Sequence, residues 1–259
     1  MSWVLPAPSE LEKQTFGSMD ASLGVPGETL NSNLMSSLRK AKVGDRVYYL
    51  KIYHSRGKWL RRYLGRSRVQ SEWQNLRLFE QLAVPTARVV GYGERGQQGL
   101  LITEELPGTI DLAALARKPA CFAQLDVAAV IDQLSGYVRT LHRHGFVHND
   151  LKWRNILVAH GDRNRFQDNA SPEVMPNKSA VDNELDVYII DCPQGRRLLG
   201  PMLTRGIVKD LACLDKVAKY RLSRTQRLRF YLKYRELDRL YAREKREIVR
   251  ILRFFEGRE

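Results

Sequence analysis

The feature that most constrains this chain is the segment His148–Val158, in which a polar loop runs directly into an apolar strand. It reads His-Asn-Asp-Leu-Lys-Trp-Arg-Asn-Ile-Leu-Val. In-line phosphoryl transfer needs a carboxylate that orients the acceptor hydroxyl and a metal ligand nearby on the same loop. Asp150 can supply the first group, and Asn155, five residues later, can supply the second. Lys152 lies between them, where it would reach the transferring phosphoryl group.

Three further charged residues lie at distinctive points of the predicted elements. The β-rich stretch Val47–Tyr53 predicts a strand with Lys51 in its middle. Glu72 follows 72 − 51 = 21 residues later, on a helix predicted over 71–82. Asp191 ends the apolar strand Asp-Val-Tyr-Ile-Ile-Asp. Each residue alone has an ordinary structural explanation, but the joint order and spacing favour a shared site.

These residues resemble the motifs of the protein-kinase-like superfamily. The resemblance implies an α+β, bilobal fold with a β-rich N-lobe and a mainly helical C-lobe. Its cofactors would be ATP and Mg²⁺. Their contacts, as the resemblance implies them, are Lys51 and Glu72 for the phosphates, Glu104, Glu105 and Leu106 for the adenine, and Asn155 and Asp191 for the metal. Asp150 and Lys152 would be catalytic, and His148 would have a structural role.

Several departures from regulated protein kinases narrow the prediction. Asp191 is followed by Cys-Pro-Gln-Gly rather than Phe-Gly, and no Ala-Pro-Glu comes after it. Asn149 replaces the arginine that reads a phosphorylated activation loop. No Gly-x-Gly-x-x-Gly precedes Lys51, so the loop that covers the phosphates cannot be placed from the sequence. These losses favour a small-substrate kinase that is always assembled.

From about Tyr48 to its C-terminus the chain resembles the bacterial lipopolysaccharide kinase family, the WaaP/InaA-like heptose and Kdo kinases. The segments that carry the resemblance are YYLKIY, SEWQNLRLFEQLAVPTARVVGYGE, LLITEELPG, LHRHGFVHNDLKWRNILV and YIIDCPQG. Asp210, in Lys-Asp-Leu-Ala, resembles the buried aspartate that braces the catalytic loop. The resemblance implies ATP- and Mg²⁺-dependent phosphorylation of a heptose or Kdo hydroxyl of the lipopolysaccharide core, at the cytoplasmic face of the inner membrane.

Breaks in composition suggest the domain boundaries. Residues 1–30 are rich in Gly, Pro and Ser and predict a loose lead-in. An N-lobe over 31–106 then ends at Pro107-Gly108, and a C-lobe covers 107–259. A polar insertion near 161–184 interrupts the C-lobe between two apolar strands, and a loop of that length is either mobile or functional.

The formal net charge of +14 favours an anionic partner. Cations are concentrated between Arg56 and Arg68 and through 221–258, which suggests binding to an anionic inner-membrane surface and to core phosphates. No nucleic-acid-binding motif accompanies the charge, so we expect no nucleic-acid partner. The odd cysteine count excludes a disulfide framework. With no leader peptide and no apolar run of spanning length, we expect a cytoplasmic protein, peripheral on that membrane.

Two other classes of function stay open. A Ser/Thr or Tyr protein kinase would need an acceptor-peptide groove and an activation segment, and the short Asp-Cys-Pro-Gln-Gly stretch argues against both. A non-catalytic kinase-like scaffold in envelope biogenesis would not need all of the catalytic-type residues that are retained here, which are Lys51, Glu72, Asp150, Asn155 and Asp191.

Overall fold

The chain divides into two compact units in a computed structural model that describes residues 2–55, 66–160 and 185–257. The first unit comprises Met1–Gln81, Thr86–Leu106 and Asp191–Gln194. The second comprises Leu82–Pro85, Pro107–Ile190 and Gly195–Glu259. The first is built on a β-sheet and the second is mainly helical, so the predicted α+β class is confirmed. The polar insertion 161–184 and residues 56–65 of the arginine-rich run lie outside the described residues.

The first unit is organised around an antiparallel six-stranded sheet with the strand order β1-β5-β6-β4-β3-β2. Its elements are β1 (Ser2–Val4), α1 (Glu10–Phe16), α2 (Met19–Gly24), β2 (Glu28–Ser32), β3 (Ser36–Val43), β4 (Arg46–Tyr53), α3 (Arg68–Gln81), β5 (Val89–Arg95) and β6 (Gln98–Glu104). Strand β4 lies between β3 and β6, with Lys51 opposite Leu38 and Leu101.

The alternation of side chains along β4 separates the apolar core from the candidate site. Tyr48, Leu50 and Ile52 point to one face of the sheet and pack into the core with Phe16. Lys51 belongs to the odd-numbered set, which points to the opposite face because successive side chains of a strand alternate. One strand therefore both anchors the core and presents the lysine.

Residues 2–24 form a strand and two short helices, where the sequence predicts a loose lead-in. Ser9 caps α1 in a capping box with Glu12, and Ser18 caps α2. Phe16 and Met19 are almost completely buried in the first unit. The prediction missed these elements because helices of 7 and 6 residues are too short to show a periodic pattern.

The second unit contains the remaining elements. They are β7 (Thr109–Asp111), α4 (Leu112–Ala116), α5 (Pro119–Ala123), α6 (Val127–Arg143), β8 (Phe146–Val147), β9 (Ile156–His160), β10 (Leu185–Ile189), β11 (Arg196–Arg197), α7 (Gly200–Arg221), α8 (Arg224–Arg235) and α9 (Ala242–Leu252). Helix α6 buries an apolar face that includes Val130, Ile131 and Leu134, and β9 pairs with β7 and β10. Within the described ranges, no helix is long and apolar enough to cross a bilayer.

The three cysteines are free thiols, as the sequence predicts. Cys192 and Cys213 are buried, and Cys121 is partly exposed. Burial, with the nearby Asp210 carboxylate, raises the pKa of Cys213 to about 11. Cys213 is therefore an unreactive core thiol at neutral pH.

Candidate active site

Lys51 lies at the centre of a charged cluster inside the first unit. Its ammonium donates a hydrogen bond to Glu72 Oε1 at 2.9 Å and another to the carboxylate of Asp191. Glu72 is buried on α3, and the Tyr53 hydroxyl donates to its other oxygen. Lys51 therefore contacts both of the acidic residues that were predicted with it, and Tyr53 is a fourth member that the sequence analysis missed.

The electrostatics of this cluster keep Lys51 charged. Burial opposes an ammonium, but the carboxylates of Glu72 and Asp191 raise the pKa of Lys51 well above its ordinary value. Burial raises the pKa of Glu72, and the charge of Lys51 opposes that rise. Burial and the Glu72 carboxylate raise the pKa of Tyr53 well above its usual range, so the hydroxyl stays a donor. The result is a fixed cation suited to binding phosphate oxygens.

Helix α3 also holds the segment that follows Asp191. Asn75 is one turn beyond Glu72, and its side-chain amide donates to the backbone carbonyl of Cys192 at 2.7 Å. Asp191 itself has a left-handed backbone, with φ of 59°. A non-glycine residue adopts that conformation only where its surroundings hold it. The sequence analysis missed Asn75, although its three-residue spacing from Glu72 places both on one helix face.

Glu104 and Glu105, predicted to lie at the adenine site, are both engaged at the end of β6. Glu104 accepts hydrogen bonds from Arg88 at 2.6 Å, and Glu105 accepts them from Lys40 at 2.8 Å and Tyr49 at 3.0 Å. Their backbone N–H groups donate to the carbonyls of Arg88 and Val47. The side chains of both glutamates therefore bind neighbouring residues of the sheet. Their backbone carbonyls are the groups that could contact a ligand. Leu106 is the last residue before the second unit begins.

The turn between β2 and β3 lies where the sequence analysis could not place a phosphate-covering loop. The Asn33 side-chain oxygen accepts the N–H groups of Met35 at 2.8 Å and Ser36 at 3.0 Å. Strand β3 continues from this turn to pair with β4 beside Lys51. An asparagine side chain thus closes a turn for which related loops use glycine. In the sequence, the signal for this turn is Asn-Leu-Met-Ser, which lies where β2 ends and β3 begins.

The second unit holds the loop that carries Asp150. The buried carboxylate of Asp210, on α7, accepts the backbone N–H groups of His148 at 2.6 Å and Asn149 at 2.8 Å. Asn149 has a φ of 65°, which turns the chain sharply before Asp150. His148 is buried, and its Nε2 lies 3.3 Å from the Ile190 carbonyl. The Asp210 side chain therefore holds the backbone of this loop in place.

Asp150, Lys152 and Asn155 lie together within this loop. Lys152 Nζ is 2.6 Å from Asp150 Oδ1. The amide nitrogen of Asn155 donates to the backbone carbonyl of Asp150 at 2.8 Å. The side chain of Asp150 is 22% exposed and that of Lys152 is 48% exposed. A partly exposed carboxylate with an adjacent cation can orient a hydroxyl and neutralise the charge of a phosphoryl group.

The predicted metal ligands belong to different units, Asn155 to the second and Asp191 to the first. Each offers oxygen, the ligand atom that Mg²⁺ prefers. The bond from Asn155 to Asp150 uses an amide hydrogen and leaves the lone pairs of the amide oxygen available. The Asp191 side chain is 38% exposed. The chemistry of both donors therefore fits the metal.

The chain matches known proteins both in sequence and in fold. The model of the lipopolysaccharide kinase (Kdo/WaaP) family matches residues 27–234. The lipopolysaccharide core heptose(I) kinase WaaP of Pseudomonas aeruginosa PAO1 is 29% identical over 229 residues, which cover 82% of this chain and 75% of that protein.

A solved structure described as WaaP in complex with acyl carrier protein has a similar fold, with a TM-score of 0.70. It is 23% identical, and the match covers 99% of this chain and 97% of that chain. The family match extends through the strand that carries Lys51 and through the loop that carries Asp150. The chain belongs to the lipopolysaccharide kinase (Kdo/WaaP) family.

Proposed function

We propose that this chain is an ATP-dependent kinase that phosphorylates a heptose or Kdo hydroxyl of the lipopolysaccharide inner core. The observation that carries the proposal is the family match over residues 27–234, which includes the braced loop with Asp150. Family membership gives the reaction class, a phosphotransferase with an alcohol group as acceptor. The identity of the acceptor sugar is more specific than this reaction class and is part of the proposal.

On the nucleotide side, Lys51 binds the α- and β-phosphates of ATP and Glu72 fixes its position. The ion pair at 2.9 Å and the raised pKa of Lys51 support that role. The adenine lies against the backbone from Glu104 to Leu106. The Asn33 turn covers the phosphates through its backbone, in place of a glycine-rich loop.

Asn155 and Asp191 would hold Mg²⁺ with their side-chain oxygens. When bound, the metal would neutralise phosphate charge and so lower the barrier to transfer. The contact between Lys51 and Asp191 suits this role, because it holds the Asp191 carboxylate in one orientation before the metal arrives.

Asp150 orients the acceptor hydroxyl and accepts its proton as the phosphoryl group transfers. Lys152 then neutralises charge on that group. In the described structure the two side chains pair at 2.6 Å, so Lys152 also keeps the Asp150 carboxylate in place before the substrates bind.

Transfer from γ-labelled ATP tests the function directly. The acceptors are dephosphorylated lipopolysaccharide core, a generic protein and an aminoglycoside, each with Mg²⁺. We expect label on the core alone. Label on the protein alone would support a protein kinase, and bound ATP without transfer to any acceptor would support a scaffold.

We propose that the enzyme works at the cytoplasmic face of the inner membrane and binds there as a peripheral protein, because the proposed acceptor is part of a membrane-anchored lipid. Cations of the described surface would attract anionic lipid. Because salt screens exposed charges, raising its concentration should weaken vesicle binding more than ATP binding. Equal salt sensitivity of the two would contradict a membrane-facing cationic surface.

We further propose an acyl carrier protein as a partner, from the complex that the structural neighbour's description names. The second unit contains an apolar cavity of about 540 Å³, lined in part by Leu134, Trp153 and Ile251. That cavity could take an acyl chain. Calorimetry should show tighter binding of the acylated carrier than of the unacylated carrier, and equal affinity would count against use of the cavity.

A further inference from the structure

The cations of α8 are mostly neutralised by neighbouring acids. Arg227 pairs with Asp215 at 2.7 Å, Arg229 pairs with Asp132 at 3.1 Å, and Arg235 with Glu247 at 2.9 Å. Such pairs cancel much of the field that a solvated cation would present to an anionic surface. High charge density in the sequence near the C-terminus therefore does not translate into a free cationic surface along this helix.

A different surface keeps its charge. The stretch from Cys192 to Lys209 contains four cations and no Asp or Glu. Within it, Arg196, Arg197 and Arg205 are exposed. Across the described ranges, no ion pair involves any of these three arginines. We name the segment Arg196–Arg205, which comprises β11 and the first turns of α7, the docking tip.

The docking tip also exposes two large apolar side chains. Leu199 is 81% exposed and Met202 is 67% exposed. They lie on either side of the start of α7, where Leu199 is the N-cap and no side chain caps the first turn. Exposed apolar groups surrounded by arginines are typical of surfaces that bind at a membrane interface, where apolar groups enter the acyl boundary and cations meet phosphates.

Helix α7 connects the docking tip to the loop that carries Asp150. Met202, Gly206 and Asp210 are spaced by four residues and so share one helix face. A Cβ on Gly206 would come within 2.8 Å of Val147, which shows how closely α7 approaches β8. Asp210 holds the backbone of His148 and Asn149. Two helical turns, about 12 Å along the axis, separate Met202 from that brace.

We propose that the docking tip binds the surface of an anionic phospholipid bilayer, with Leu199 and Met202 in the interface and the arginines on lipid phosphates. This inference rests on the proposed function, because it explains how a catalytic loop reaches an acceptor that is anchored in a membrane. A rigid helix then fixes the height of Asp150 above the bilayer. The exposure of Leu199 and Met202 beside the arginines favours a lipid surface, because an anionic bilayer offers an acyl boundary and phosphates together.

Vesicle flotation of the full chain, without ATP or acceptor, tests this surface. The vesicles contain phosphatidylethanolamine with phosphatidylglycerol, and phosphatidylcholine vesicles serve as the neutral comparison. Replacing Arg196→Gln and Arg197→Gln together should weaken binding roughly 30-fold, at about 1 kcal/mol for each arginine near an anionic surface. Leu199→Ser with Met202→Ser should weaken binding to a similar degree.

Two control variants locate the effect. Tyr220→Ser alters a 75% exposed aromatic at the other end of the same helix. Val249→Ser with Leu252→Ser alters exposed apolar residues of the basic helix α9. We expect both controls to bind vesicles like the unaltered chain. An equal loss in either control, or full binding by the docking-tip variants, would overturn the proposal.

Phosphate transfer separates this surface from the enzyme's function. The docking-tip variants should lose transfer to vesicle-embedded lipopolysaccharide and keep transfer to the deacylated core in solution. Equal loss on both acceptors would mean that the segment contacts the sugar rather than the membrane, and would overturn the proposal. Absence of transfer by the unaltered chain would refute the proposed function and leave the flotation result valid.

Discussion

The two groups of candidate residues are held in place by different kinds of interaction. In the first unit, Lys51 is fixed by side chains, through charge contacts with Glu72 and Asp191. In the second unit, the loop carrying Asp150 is fixed through its backbone, by the buried carboxylate of Asp210. The first arrangement positions one charged atom. The second fixes the conformation of a loop and leaves the side chains of Asp150 and Lys152 partly exposed.

The difference has a functional meaning. A phosphate-binding cation must keep both its charge and its position, and surrounding carboxylates provide both. A catalytic carboxylate must stay accessible to an acceptor, so its neighbours constrain the backbone. Mutations in the two regions should therefore fail differently. Substitutions that remove a charge should impair nucleotide binding in the first unit. In the second unit they should impair folding and turnover.

The largest effect in the first unit should follow Asp191→Ala. Because the change removes a proposed metal ligand and a partner of Lys51, we expect a loss of transfer on the order of 10³-fold with little change in melting temperature. Steady-state transfer and calorimetric unfolding measure the two quantities. Asp186→Ala, at an exposed position on β10, is the control and should behave like the unaltered chain. Activity within a few-fold of normal in Asp191→Ala would refute the metal assignment.

Asp210→Asn should damage both stability and turnover. An amide presents a donor to one of the two N–H groups that the carboxylate accepts, so one buried donor loses its partner. We expect about 2–4 kcal/mol of lost unfolding free energy, measured in urea, and a lower kcat. Asp215→Asn, which loses only the part-exposed contact with Arg227, should cost less than about 1 kcal/mol. Similar losses in the two variants would mean that the backbone brace is unimportant.

Glu72→Gln should weaken nucleotide binding more than it affects the fold. The amide keeps the shape but removes the charge that fixes Lys51, so we expect ATP affinity to fall about 10-fold, in line with a buried charged hydrogen bond. Titration calorimetry with ATP measures this. Glu80→Gln, exposed on the same helix, is the control. Unchanged affinity in Glu72→Gln would show that Lys51 does not depend on the ion pair.

The smallest effect on activity concerns Glu12, which joins α1 to the sheet and lies outside the candidate site. Although burial favours the neutral acid, hydrogen bonds from Arg88, the Ser9 N–H and Tyr48 lower the pKa of Glu12 from 4.5 to about 2. Its stabilisation is therefore complete above pH 4.5 and is lost as the pH falls from 4.5 to about 2. Glu12→Gln should reduce the loss of unfolding free energy between pH 4.5 and pH 2 by roughly 3 kcal/mol. An unchanged acid limb would contradict this role.

The sequence was most informative where one residue type at one spacing is required by the chemistry. Lys51, Glu72 and Asp191 were predicted from their order, and Lys51 contacts both acids. Tyr53 and Asn75 were missed, since a tyrosine on a strand and an asparagine on a helix usually pack or face solvent. Asn33 was missed because the search was for glycine, whereas its side chain closes the turn by accepting two backbone N–H groups.

The distribution of charge was the hardest property to predict. Composition placed the cations between Arg56 and Arg68 and through 221–258, but whether a given cation is paired depends on contacts between residues far apart in the chain. Arg229 and Asp132 are 97 positions apart, and no local pattern reports their pairing. The arginines of the docking tip were overlooked in the sequence because they are fewer.

The most direct test of the account is Asp150→Asn, measured in parallel for ATP binding and for phosphate transfer to the dephosphorylated lipopolysaccharide core. Asp150 belongs to the second unit and is assigned to the acceptor, whereas the nucleotide phosphates are assigned to the first unit. The account predicts unchanged ATP affinity and a loss of transfer of about 10²–10⁴-fold, the range for removal of a general base. Normal transfer in Asp150→Asn, or a loss of ATP binding that accounts for the whole defect, would contradict it.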